Sequence, residues 1–199
     1  MTEKGRSMVE MLGVLAIIGV LSAGALAGYS KAMFRYRTNQ TIDIFTRVLQ
    51  RFEEFEKKEW GEVSLGDDGP TDSATDLVKY GFLEKCEVAY GGYGLDKPGC
   101  KLPIGILKFD FYDDARYGVL GWFAITFTDS KSCVAFSSVD WIHSIPIEWL
   151  RSGGGINIGS IQLNEDEALS ITMSDIIQGC KECDEEGACS FRIFINGDI

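Results

Sequence analysis

Apolar and polar residues follow three regimes along the chain. From Met8 to Tyr29 the side chains are apolar, broken only by Glu10 and Ser22, and no charge occurs from Met11 to Gly28. That is the length a membrane-spanning helix needs, roughly 20 residues. Beyond Tyr29 the apolar positions narrow to a stripe. Ile42, Phe45, Val48/Leu49, Phe52 and Phe55 recur at steps of three and four, the period of one helix face. Neither proline nor glycine interrupts Tyr29 to Trp60; the first breakers are Gly61 and the Gly66-Asp67-Asp68-Gly69-Pro70 cluster. The pattern predicts one helix of roughly 50 residues, about 80 Å long. Its first half, apolar all round, belongs in lipid or a protein bundle, and its second half belongs against a folded domain. A cleaved secretory signal is the competing reading, since Ala23-Gly24-Ala25 and Ala25-Leu26-Ala27 resemble cleavage sites. The helical period continuing past Tyr29 argues against it.

After residue 61 the pattern changes to short elements. Thr71-Asp72-Ser73 offers N-cap candidates for a helix through Leu77, Val78 and Tyr80, with Gly81 as its stop. Alternation over Ile104–Tyr112 and Val119–Phe127 predicts two strands joined by a hairpin loop, Asp113 to Gly118. Asp129-Ser130-Lys131-Ser132 opens a helix that carries Cys133, Phe136, Val139 and Ile142 and ends near Pro146. A strand Ile156–Leu163 follows the Gly153-Gly154-Gly155 loop. Thr172-Met173-Ser174-Asp175 then opens a short helix ending at Gly179-Cys180, and Phe191–Ile195 is the last strand.

Charge separates the two ends. The chain of 199 residues has a formal net charge of −11, and its acidic surplus lies after Asp43. Before that point Lys4, Arg6, Lys31, Arg35 and Arg37 outnumber Glu3 and Glu10. Such an acidic balance excludes a constitutive nucleic-acid binder, which needs a basic surface facing phosphates. All six cysteines (Cys86, Cys100, Cys133, Cys180, Cys183 and Cys189) lie outside the apolar segment, which suits disulfides formed in an oxidising compartment. The alternative is a metal site on Cys180-x2-Cys183-x5-Cys189, but three thiols with no second CxxC and no nearby histidine do not complete a tetrahedral set.

Candidate catalytic features are sparse. The loop Tyr90-Gly91-Gly92-Tyr93-Gly94 lacks the strand-to-helix setting and the following Lys-Ser/Thr of a phosphate cradle, so a surface loop between Cys86 and Cys100 is the better reading. Asp113 and Asp114 could hold calcium, yet adjacent carboxylates alone make no coordination cage and read as turn residues. His143, the only histidine, stands beside no nucleophile motif. No Ser/His/Asp set, HExxH or P-loop occurs. The expectation is a protein that is not an enzyme and needs no metal or cofactor.

Two features of the apolar half call for partners. Gly24-x3-Gly28 and Ala23-x3-Ala27, beside Ala16 and Gly19, give a small-residue face suited to close helix packing. Glu10 puts a carboxylate in a membrane-length segment, where such a group is costly and usually functional. Lys4-Gly5, then Arg6-Ser7-Met8-Val9-Glu10 and the apolar run, resembles a type IV prepilin leader. The stretch Gly19-Val20-Leu21-Ser22-Ala23-Gly24 is most similar to the type IVb, toxin-coregulated branch. Two positions depart from the family pattern: Arg6 replaces the usual apolar or aromatic first residue, which is N-methylated, and Ala27 replaces a frequent proline.

The resemblance implies an α+β lollipop, with a long N-terminal helix packed on a mainly antiparallel head and a disulfide-closed D-region. Its segments would be a leader at 1–5, a transmembrane and assembly half at 6–29, an amphipathic half at 30–60 and a head at 61–199. A prepilin peptidase would cut between Gly5 and Arg6 at the inner membrane. Glu10 would pair with the new amine of a neighbouring subunit while an assembly platform builds a surface filament of identical subunits, with the heads first periplasmic and then extracellular. The resemblance further implies a Cys133–Cys180 bridge; Cys86–Cys100 and Cys183–Cys189 are then the simplest remaining pairs among 15 connectivities. A minor pilin or secretion pseudopilin is the alternative in the same class. Outside that class stands a membrane-anchored periplasmic binding module that never polymerises.

Overall fold

Helix α1 (Met8–Glu59) runs for 52 residues without a break. The computed structural model describes residues 8–59, 73–91, 98–114, 118–145, 155–163 and 170–196, so Gly5, Arg6, Thr71, Asp72 and Pro146 lie outside the described residues. The one-sided stripe of α1 faces inward: Phe45, Val48, Leu49 and Phe52 are fully buried, and Ile42 is half-buried. Two threonines, Thr38 and Thr41, are buried on the same face. Each hydroxyl donates to the carbonyl one turn back, Thr38 to Phe34 and Thr41 to Arg37, both at 3.0 Å, which removes the cost of burying it.

The stripe lies across a seven-stranded, wholly antiparallel sheet. In chain order the strands are β1 (Val88–Ala89), β2 (Gly99–Leu102), β3 (Gly105–Asp114), β4 (Gly118–Phe127), β5 (Gly155–Ile158), β6 (Ile161–Leu163) and β7 (Cys189–Asn196). In space they run β1-β2-β3-β4-β7-β5-β6. The last strand therefore sits between β4 and β5, pairing Phe123 with Ile193 on one side and Ile156 with Ile193 on the other. The strand period of two puts Leu107, Phe109, Phe123, Ile125, Phe191 and Ile193 on the face beneath α1, all buried.

Aromatic rings make the join. Phe45 meets Phe123, Phe136, Trp141 and Phe191 edge-on, with centroids 5.2 to 6.5 Å apart. Two turns along, Phe52 meets Phe82, Phe109 and Phe123 at 5.1 to 5.8 Å. These edge-to-face arrangements suit the ring quadrupoles and add to the area they bury. On the opposite face Lys108, Ala124, Thr126 and Ser190 are also buried, so the middle of the sheet is covered on both sides.

Smaller helices occupy the same face as α1, giving the α+β class. They are α2 (Ser73–Lys79), α3 (Ser130–Ser137), α4 (Met173–Cys180) and α5 (Glu182–Glu185). Asp129 caps α3 by accepting from the Ser132 N–H at 2.8 Å. Thr172 and Asp175 form a reciprocal capping box on α4. The Thr172 hydroxyl and N–H, donating to Asp175, hold its carboxyl below the usual aspartate range.

The structure corrects three expected boundaries. Helix α3 stops at Ser137 rather than running to Pro146. There the chain turns back so that the Trp141 indole donates to the Phe136 carbonyl at 2.9 Å and stacks on the Phe136 ring at 4.7 Å. Among the described residues a short 3-10 turn, Ile142–Ser144, follows. The expected strand Ile156–Leu163 is two strands, β5 and β6, hinged at Gly159, whose φ of +58° is left-handed and favours glycine. The hairpin loop after β3 is shorter than expected, because Asp113 and Asp114 still pair with Val119 and Gly118; their side chains lie outside the described residues.

Phe52→Ala removes a ring enclosed by α1, α2's following loop and the sheet. It should lower stability by about 3–5 kcal/mol, read as a fall in the urea midpoint of the detergent-solubilised chain with an unchanged slope.

Candidate functional site

The first half of α1 leaves the head bare. Every described side chain from Met8 to Ala32 is exposed, a length of about 37 Å. Apolar residues cover this rod on all sides, from Met11, Leu12 and Leu15 to Ile18, Leu21 and Leu26. It contains the one helical stretch among the described residues that is long and apolar enough to cross a membrane, and none of that stretch is buried. Since soluble chains rarely leave contiguous apolar surface of this extent uncovered, the rod requires lipid or other protein around it.

Glu10 stands in the first turn of α1, exposed, with no hydrogen bond or ion pair among the described residues. The helix N-terminus favours a carboxylate there, but by only about 0.3–1 kcal/mol. Gly24 and Gly28 share a helix face, and a Cβ added at either would meet nothing within 4 Å. Among the described residues those glycines therefore have no packing neighbour. Their open Cβ positions leave room for the close approach of another helix.

In the head the cysteines close a second constellation. Cys133 in the first turn of α3 is bonded to Cys180 at the end of α4, Cys183 in α5 to Cys189 at the start of β7, and Cys86 to Cys100. The last of these bridges closes the loop that contains Tyr90 and Gly91; Gly92, Tyr93 and Gly94 lie outside the described residues. The sulfurs of Cys133, Cys183 and Cys189 lie within 4.8 Å of one another, and all are buried. As each is spent in a disulfide, none offers the thiolate that a metal would require.

Two glycines let this constellation form. An added Cβ at Gly159 would strike the Gly179 carbonyl, and one at Gly179 would strike the Ile158 carbonyl, so α4 lies backbone to backbone on the β5–β6 turn. That contact delivers Cys180 to Cys133. Helix α5, which sequence reasoning missed, adds polar ties. Glu182 accepts from the Ser160 N–H at 3.1 Å and Asp184 from the Ser130 N–H at 3.2 Å. Hydrogen bonding by Ser130 holds the Asp184 carboxyl below its usual range. The four-residue length of α5 gave no periodic signal, and the glycine at 159 was the only hint of the hairpin.

His143 is exposed, and its Nδ1 lies 2.7 Å from Asp140 Oδ2. That hydrogen bond holds the Asp140 carboxyl low. No nucleophile stands with this pair among the described residues, and its place beside the Ile142 turn is that of a surface clasp.

No family model, curated protein or solved structure matches the chain. The long apolar N-terminal helix on an antiparallel, disulfide-bonded head is consistent with a pilin-like fold.

Replacing Cys133 and Cys180 together by serine opens a loop of 47 residues. The chain-entropy model sets the loss near 4 kcal/mol. Thermal melts of the double variant should show it, and amide exchange should rise first in α4 and β7.

Proposed function

We propose that the chain is the structural subunit of a type IV filament of the IVb-like kind. The observation that carries this reading is the bare half of α1: a head whose core is completed by the second half of the helix, bearing an uncovered apolar rod with a carboxylate at its tip. Before assembly the rod resides in the inner membrane and the head in the periplasm. A prepilin peptidase cuts between Gly5 and Arg6, and an assembly platform lifts the subunit out of the bilayer into the growing filament. Rods from many subunits then bundle, exchanging lipid for one another. The Gly24–Gly28 face admits a neighbouring backbone, and Glu10 neutralises the Arg6 amine of an adjacent subunit. The heads, held by their disulfides, form the outer surface on which adhesion, aggregation or motility depends.

The charge logic supports this order of events. A carboxylate taken out of water needs a cation close by, and cleavage before Arg6 creates one four residues from Glu10.

The decisive measurement is the mass of the N-terminal peptide from native membranes. A start at Arg6, with or without one methyl group, is expected; an intact leader or a start beyond Ala27 would refute the reading. Glu10→Ala should leave insertion intact and reduce surface filaments at least tenfold, and normal piliation would refute its role in assembly.

A further inference from the structure

Where α1 leaves the head, an open cleft of about 740 Å3 lies between the helix, the β2–β3 turn and the start of α3. Tyr29, Phe34 and Arg37 line it from the helix, and Lys101, Ile104 and Lys131 from the head. The Lys131 ammonium sits 4.0 Å above the Phe34 ring, which holds this charge at the cleft mouth. Two carboxylates belong to the same region, and both are engaged. Asp129 accepts from the Ser132 N–H and hydroxyl, both at 2.8 Å, and Glu87 pairs with Lys101 at 2.7 Å. Arg37 and Lys131 have no acidic partner among the described residues.

The height of the cleft is informative. The apolar run ends at Tyr29, and Lys31, Arg35 and Arg37 follow within about 12 Å of helix rise. Arginine and lysine stems of that length reach the headgroup layer next to the hydrocarbon. Tyr29 and Tyr36, both exposed, fit the same layer. Lys31 and Arg35, four apart, share one flank of the helix, while Arg37 lies on the other and faces the cleft. The neck thus carries cations on two sides, against a chain whose net charge is −11. These cations do not help orient the segment. Orientation favours lysine and arginine on the cytoplasmic side, and here the head side carries three against Lys4 and Arg6 on the other.

We infer that the neck cleft is a docking site for the phosphate headgroup of an anionic phospholipid in the leaflet facing the head. Arg37 and Lys131 pair with the phosphate, and Tyr29 and Phe34 cover the upper acyl chain. The site seats the head at a fixed height on the bilayer before the subunit is drawn into a filament. The inference rests on the membrane-spanning part of the proposed function.

The test is native mass spectrometry of the full chain in mild detergent, offered equal amounts of phosphatidylglycerol and phosphatidylcholine. Phosphatidylglycerol adducts should dominate. Arg37→Gln with Lys131→Gln should lower that preference about fivefold for each charge removed. Arg47→Gln, an exposed cation further along α1, should leave it unchanged. Equal adducts in the unaltered chain, or an equal loss in Arg47→Gln, overturns the site. If the double variant keeps its lipid preference but loses self-association, the cleft belongs to a second copy and the lipid assignment fails. Alkaline extraction of membranes reads insertion separately. A chain released by it refutes the membrane-spanning reading itself, whereas an inserted chain without headgroup preference refutes only this inference.

Discussion

The ring cluster around Phe45 and Phe52 is the joint on which the structure depends. A single helix must satisfy two surroundings, and among the described residues only its second half packs against the head. Full burial of a phenylalanine contributes about 1.5–3 kcal/mol, so these two side chains alone outweigh any local preference of the helix to detach. They also lock rotation. Phe45 is held between rings of β4, α3 and β7, and Phe52 between rings of β3, β4 and the loop after α2. With no proline in α1 to bend it, the direction of the exposed rod follows from the seating of two rings in the sheet.

The second constraint is topological. Strand β7 comes last in the chain and sits in the middle of the sheet, so β5 and β6 attach to the rest only through it. Such long-range pairing must be closed late and at an entropic cost. The two disulfides near its start offset that cost in the unfolded chain. Cys189 anchors β7 to α5, and Cys133–Cys180 ties α3, which packs under α1, to α4. Glycines at 159 and 179 permit the close approach, and the carboxylates of Asp184 and Glu182 fasten the same corner with hydrogen bonds.

How much of this was legible follows from which signals are periodic. Helix α1 was readable because its stripe repeats over many turns, and β3, β4 and β7 because ten or eight residues alternate. Thr172 and Asp175 marked their helix start by chemistry, since the capping box is local. The failures were short or tertiary. β1, β2 and α5 are too brief for any period to register. The end of α3 is set by Trp141, whose indole finds the Phe136 carbonyl only once the core rings are assembled. In the rod, Glu10 and the glycines at 24 and 28 stood out in sequence as a costly charge and a small-residue face; their exposure in the folded chain could not be read there, because it depends on where the head stops. The neck cleft was invisible for the same reason, as its walls come from three separated segments.

The energetics of Glu10 narrow what its partner can be. Placing a carboxylate in the bilayer interior costs about 2.5–3.5 kcal/mol on insertion scales, while the helix terminus returns at most about 1 kcal/mol. The nearest cation on the far side of the apolar run is Lys31, some 32 Å away along the axis, beyond reach of any side chain. The shortfall must be met from the other direction, by a group upstream of Met8 or by another chain. An amine at Arg6 would satisfy both routes. On the proposed reading, a lone subunit would carry that amine four residues before Glu10 in sequence. In a bundle of rods the same two groups can exchange partners between subunits without either charge being left bare. On the proposed reading, assembly would ask for no new desolvation of charge at the tip, and the apolar surface of the rod and its glycine face would decide how the subunits pack.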